Sequence, residues 1–176
     1  GVAQTEPSKG RRMTGPARLL AAADPTALDQ AVDLLACGEV VAIPTETVYG
    51  LAGASTMPDA IARIYAKGRP SHNPLISHVS GIAMAERYAS FDDRSRALAQ
   101  AFWPGPLTLV LPLLPGPGIE RSTTAGGPTA AIRAPRGFAH ELIAHLDLPL
   151  AVPSALVTST ADDLARWNAA ELTGWP

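Results

Sequence analysis

Residues 40–50 read VVAIPTETVYG, and the change of character inside this stretch decides the fold class. Val40 to Ile43 is a short, wholly apolar run of the kind a strand covered on both faces requires. Pro44 stops it, and the polar loop PTETVYG begins where the buried strand ends. Upstream, Asp24 followed by Pro25 predicts an N-cap with proline at the first helical position. Leu28, Ala31, Val32 and Leu35 then share one face, and Gly38 ends the helix. Downstream, Ile61, Ile64 and Tyr65 predict a short helix over 58–66, and PLISHV at 74–79 predicts a second strand. Helical patterns follow at 80–89 and 92–102, then strand LTLVL at 107–111 and a Gly/Pro-rich loop at 115–128. Strand TAAIRA at 129–134, a helix over 137–146 and strand LPLAV at 148–152 complete the pattern. Strands and helices alternate, which argues an α/β sheet with helices on its faces and a single core.

Bulk properties bound the function. A chain of 176 residues with 47% apolar content suits one domain of about 150 residues plus a tail. The net charge of -2 exerts no global pull on nucleic acid, so any anion site must be built locally. The single cysteine, Cys37, allows no internal disulfide and no cysteine zinc cluster, and its place in LLACGEV predicts a half-buried helix-end residue. The longest apolar run, LTLVLPLL at 107–114, is far below the roughly 20 residues that span a bilayer. Residues 1–20 contain basic side chains without an apolar core and predict a disordered extension ahead of a domain at 21–176. A cytoplasmic location without membrane association is the expectation.

Polar groups at the ends of predicted strands are the candidates for chemistry, since open α/β sheets gather ligands there. They are Thr45, Glu46, Thr47 and Tyr49 after the first strand, His78, Thr108, Thr129 and Arg133 within or beside later ones, and Ser154 after the last. Arg133 is the most pointed: inside TAAIRAP it either leaves the core at a strand edge or meets a buried anionic partner, for example Glu46. The stretch KGRPSHNPLISH at 67–78 sets Lys67 and Arg69 around Gly68, with Asn73 held extended before a proline. Such a loop can offer two cations and an amide to a polyphosphate, or be a solvated turn. His72 and His78 stand six apart across a proline with no carboxylate or cysteine nearby, which does not make a metal site. The nucleotide fingerprints GxxxxGK[ST] and GxGxxG are absent.

Five ordered stretches, IPTETVYGLAG, KGRPSHNPLISHV, FWPGPLTLVLP, TAAIRAP and PLAVPSA, together resemble the YrdC-like family of threonylcarbamoyl-AMP synthases, from about Asp24 to Ala155. The resemblance implies a single-domain, twisted, open mixed α/β sheet with helices on its faces, around a positively lined cavity. It implies condensation of L-threonine, bicarbonate and ATP into threonylcarbamoyl-AMP with release of pyrophosphate. Partner transferase proteins then modify tRNA, and double-stranded RNA or tRNA is a further implied partner. Carried onto this sequence, Lys67 and Arg69 become the catalytic, phosphate-neutralising cations. Asn73 and Thr129 join them at ATP, while Thr47, His78, Arg133 and Ser154 contact L-threonine. Mg²⁺ is expected to arrive on ATP, with no metal held by the protein.

The sequence departs from the pattern in three places: the helix before Lys67 is one residue short, PSAL places Leu156 where the family has asparagine, and the chain stops at Pro176. The family continues through a strand with a Glu-Ser-Thr motif, so 21–176 reads as a domain whose C-terminal part is incomplete. A non-catalytic nucleotide- or RNA-binding module is the alternative reading.

Overall fold

The structure, a computed structural model, describes residues 20–45, 49–67 and 69–153. The expected extension at 1–20 lies outside them except for Leu20, as do Thr47, Ser154, Leu156 and the helical pattern TADDLARWNAAEL.

The Asp24–Pro25 pair stands two residues ahead of its expected place, and the N-cap is Thr26 rather than Asp24. Asp24 Oδ1 accepts from the Thr26 backbone N–H and hydroxyl at 2.8 Å, and regular helix α1 starts at Ala27 and runs to Ala36. Gly38, at φ +79°, closes it. Cys37 is exposed rather than half-buried, because the apolar stripe of Ala27, Ala31 and Leu35 points the other way.

Strand β1 (Val41–Pro44) is packed on both faces, Val41 and Ile43 on one and Ala42 on the other, but it is the edge of a six-stranded sheet and only Ile43 is buried. The segment read as loop turns instead into β2 (Tyr49–Ala54), which pairs antiparallel with β1 from Val41↔Ala52 to Pro44↔Tyr49. The edge position explains why a proline can close β1: its missing N–H is not needed by an outer neighbour. YGLAGA hides as a strand because two glycines remove the side chains that carry the alternation. Both glycines are needed: a Cβ at Gly50 would stand 2.5 Å from Val152 Cγ1, and one at Gly53 would stand 3.1 Å from Ala60 Cβ.

Helix α2 (Pro58–Tyr65) buries Ala60, Ile61 and Ile64. Strand β3 (Ile76–His78) follows, then a short helix α3 (Ile82–Ala85) where a longer one was expected. Helix α4 (Asp93–Phe102) begins in a capping box, with Asp92 Oδ1 accepting from Ser95 N–H at 2.7 Å and Ser95 Oγ accepting from Asp92 N–H at 2.9 Å. Strand β4 (Thr108–Pro112), a 3-10 turn at Arg121–Thr124 inside the expected Gly/Pro loop, strand β5 (Thr129–Arg133), helix α5 (Gly137–Leu146) and strand β6 (Leu150–Val152) complete the order.

The sheet runs β1-β2-β6-β3-β5-β4. It is mixed: β3 and β5 are parallel, and the other four pairings are antiparallel. One apolar cluster joins Leu35, Ile43, Leu142, Ile143, Leu150 and Ile132, and a smaller one seats α2 through Ile61, Ile64, Leu51 and Leu75. Each such fully buried aliphatic side chain contributes about 1.5–3 kcal/mol, so these clusters hold the strand ends in register. Along β4 and β5 the burial alternates strictly. Leu109, Leu111, Ala130 and Ile132 are buried, while Thr108, Val110, Ala131 and Arg133 face a side with no helix over it among the described residues.

Candidate active site

The parallel pair β3–β5 sorts the candidate residues into two groups. Its register, Ile76↔Ala131 and His78↔Arg133, puts Asn73 and Pro74 level with Thr129 at the amino ends of both strands. His78 and Arg133 stand at the carboxyl ends. From Thr129 to Arg133 the strand advances about 13 Å. Only the second group therefore obeys the rule that ligands gather at carboxyl ends; Arg69, Asn73 and Thr129 collect at the opposite end.

At the carboxyl ends a row of register partners crosses the sheet: Leu150 on β6, His78 on β3, Arg133 on β5 and Thr108 on β4. Partners on adjacent strands project to the same face. Burial falls along the row, from Leu150 at 0% and His78 at 7% exposure to the half-buried Arg133 and Thr108. Arg133 thus sits where the covered part of the sheet gives way to the uncovered part. Its Nε donates to Thr108 Oγ1 at 2.8 Å, which sets the guanidinium plane. Glu46, the anionic partner considered from sequence, lies outside the described residues, and the partner seen is a neutral hydroxyl.

Burial, with a smaller contribution from the Arg133 cation, pushes the His78 imidazole down to about 4. His78 is therefore neutral at physiological pH. Its Nδ1 lies 3.2 Å from Ile76 O, and the Leu150 backbone is a second hydrogen-bond partner of the ring.

At the amino ends the loop after α2 is folded on its own carbonyls. Arg69 Nε donates to Asn73 O at 3.2 Å and Nη2 donates to Pro74 O at 2.7 Å. Tyr65 Oη lies 2.8 Å from Asn73 O and 2.9 Å from Ser122 O, and Leu75 N–H donates to Thr123 O at 2.8 Å. These bonds tie the loop to the 3-10 turn that leads into Thr129. Lys67 is half-buried and Asn73 exposed beside them. Three other cations belong to structural pairs: Arg63 with Glu39, Arg87 with Asp147 and Arg96 with Glu86.

Of the four residues expected around threonine, His78 and Arg133 share one end of the pair, while Thr47 and Ser154 lie outside the described residues. Among the described residues no group of three His, Cys, Asp or Glu gathers as for a metal. Two contributors were not legible as such. Thr108 was a candidate without a role, although its period-two spacing from Val110 marks its face. Tyr65 read as an inward helix residue, and only its place just before KGR hinted at the loop.

A family model named for Sua5, YciO and YrdC and described as telomere recombination matches residues 33–169. The chain belongs to the Sua5/YciO/YrdC family. Curated relatives carry the name threonylcarbamoyl-AMP synthase. The Bacillus subtilis protein is 47% identical over 129 residues, covering 72% of this chain and 37% of its own length. That of Pyrococcus abyssi is 41% identical over 140 residues, covering 76% and 40%. Among solved structures, P. abyssi Sua5 complexed with L-threonine superposes with a TM-score of 0.68 at 42% identity, covering 72% of this chain and 38% of that one. This family member thus spans well under half the length of those relatives. No helix among its described residues is long and apolar enough to cross a membrane.

Proposed function

We propose that this chain carries the synthase chemistry of its family: L-threonine, bicarbonate and ATP are condensed to threonylcarbamoyl-AMP and pyrophosphate, for threonylcarbamoyladenosine modification of tRNA. The observation that carries the reading is the opposition of two groups along one parallel strand pair, with Arg69, Asn73 and Thr129 at one end and His78 and Arg133 at the other. The binding of L-threonine by P. abyssi Sua5 supports it.

In this reading the threonine amine and bicarbonate lose water to form a carbamate. A carbamate oxygen attacks the α-phosphorus, the bond from that phosphorus to the bridging oxygen breaks, and pyrophosphate leaves. No covalent enzyme intermediate is required. The protein positions two anions and neutralises their charge, which is where most of the barrier lowering in phosphoryl and nucleotidyl transfer arises. Arg133, its plane set by Thr108, pairs with the threonine carboxylate as a fork. His78, neutral, accepts from the amine through a ring nitrogen. Thr47 and Ser154 complete the threonine side. Lys67 and Arg69 neutralise the phosphates, lining the positive part of the cavity, and Asn73 and Thr129 bind the nucleotide. Mg²⁺ enters on the ATP phosphates. A domain over 21–176 behind a basic extension, a cytoplasmic location, downstream tRNA-modifying transferases and contact with tRNA or double-stranded RNA belong to the same proposal.

Incubation of the chain with ATP, L-threonine and bicarbonate tests it: threonine-dependent pyrophosphate release is expected, and it falls to background in a Lys67→Ala, Arg69→Ala variant. ATP or RNA binding without any threonine-dependent release would instead favour a non-catalytic module, the reading that Leu156 in place of asparagine keeps in view.

A further inference from the structure

The Tyr65 hydroxyl does work that helix packing does not require. Helix α2 is seated by Ala60, Ile61 and Ile64, whereas the ring of Tyr65 is only partly buried and its oxygen reaches out of the helix. That oxygen meets two main-chain carbonyls, Asn73 O and Ser122 O, 57 residues from the tyrosine in the second case. A phenol has one proton, so the two carbonyls share it in a three-centre bond. Burial raises the phenol above its ordinary value, so it remains a donor throughout the neutral range. Asn73 O also accepts from Arg69 Nε, which uses both of its lone pairs. One hydroxyl therefore joins three things: the end of α2, the loop bearing Arg69 and Asn73, and the 3-10 turn that leads into Thr129.

We infer that Tyr65 is a positioning residue for nucleotide: its hydroxyl clamps the Arg69–Pro74 loop to the Arg121–Thr124 turn, so that the Arg69 guanidinium and the Thr129 end of β5 are held at fixed separation. The inference rests on the assignment of Arg69 to the ATP phosphates. Arg69 spends Nε and one Nη2 proton on Asn73 O and Pro74 O, and its guanidinium also interacts with the Tyr65 hydroxyl itself. The clamp orients the carbonyl that Arg69 leans on, and with it the direction in which the guanidinium points.

Calorimetry on the full chain with Mg²⁺–ATP and, separately, with L-threonine tests this in the wild type, Tyr65→Phe, Arg69→Ala and the double variant. Loss of one shared hydrogen bond that acts through orientation is expected to weaken ATP roughly three- to tenfold. Threonine affinity stays unchanged. In the Arg69→Ala background the tyrosine change is expected to cost less than about twofold, because its effect passes through Arg69. Hydrogen exchange, which does not depend on ATP, is expected to show faster exchange of amides 71–73 and 75 in Tyr65→Phe with α2 protection retained. Wild-type ATP affinity in Tyr65→Phe beside a weakened Arg69→Ala overturns the clamp and leaves the proposed function standing. Full additivity in the double variant, or equal losses of ATP and threonine, also overturns it. Undiminished ATP binding by Arg69→Ala overturns the phosphate assignment and the clamp with it.

Discussion

The two ends of the β3–β5 pair are built by different physics. At the carboxyl ends, His78 and Arg133 are fixed by burial and by side chains on neighbouring strands, within a row whose register the core sets. At the amino ends, Arg69 and Asn73 sit on an exposed loop fixed almost wholly by main-chain carbonyls and one tyrosine hydroxyl. A desolvated site binds a small ligand strongly through few contacts, because an unpaired partner left there is costly. A solvated loop can open for a large, multiply charged ligand and close on it, at lower gain per contact. The division suits a small amino acid at one end and a nucleotide at the other.

The comparison breaks most sharply at Arg133. Arg133→Ala should reduce threonine affinity about a hundredfold or more while leaving ATP within about threefold, and Arg133→Lys should restore little because the fork is lost; calorimetry reads both. His78 gives the next effect, on stability. Its imidazole is held near 4 in the fold against 6.5 when unfolded, so the unfolded chain takes up the proton first as pH falls. The stabilisation is complete above about pH 6.5 and is lost as pH drops toward 4, on the order of 3 kcal/mol. Urea unfolding at pH 7.5 and 4.5 should show this slope, flattened in His78→Asn. On the loop, Arg69→Ala should weaken ATP about ten- to fiftyfold with an effect that shrinks in high salt. Smallest, Thr108→Val keeps the shape of β4 but removes the acceptor for Arg133 Nε, and should raise the threonine KM roughly three- to tenfold with ATP unaffected.

Much of this arrangement was legible in the residues. The apolar spacing of α1, α2 and α5 is of period 3.6 and long enough to stand out, and TAAIRAP announced a strand with a cation it had to account for. The five motifs marked the family on sequence alone. What escaped was contact between distant parts. Strand β2 was missed because Gly50 and Gly53, needed for Val152 and α2 to approach, erase the alternation that signals a strand. The edge position of β1 was missed because an apolar run looks the same at an edge and in a centre. Of the strand-end candidates, His78 and Arg133 lie at carboxyl ends, whereas Thr129 lies at the amino end of β5, a difference that the residues of a single strand do not reveal. Thr108 and Tyr65 act through partners 25 and 57 residues away, which no local pattern encodes.

The central claim is that the two ends serve two ligands. A crossed titration tests it most directly: Arg69→Ala and Arg133→Ala, each measured by calorimetry against Mg²⁺–ATP and against L-threonine. The account predicts that Arg69→Ala loses ATP and keeps threonine, and that Arg133→Ala loses threonine and keeps ATP. Loss of the same ligand in both variants, or of both ligands in either, would contradict it.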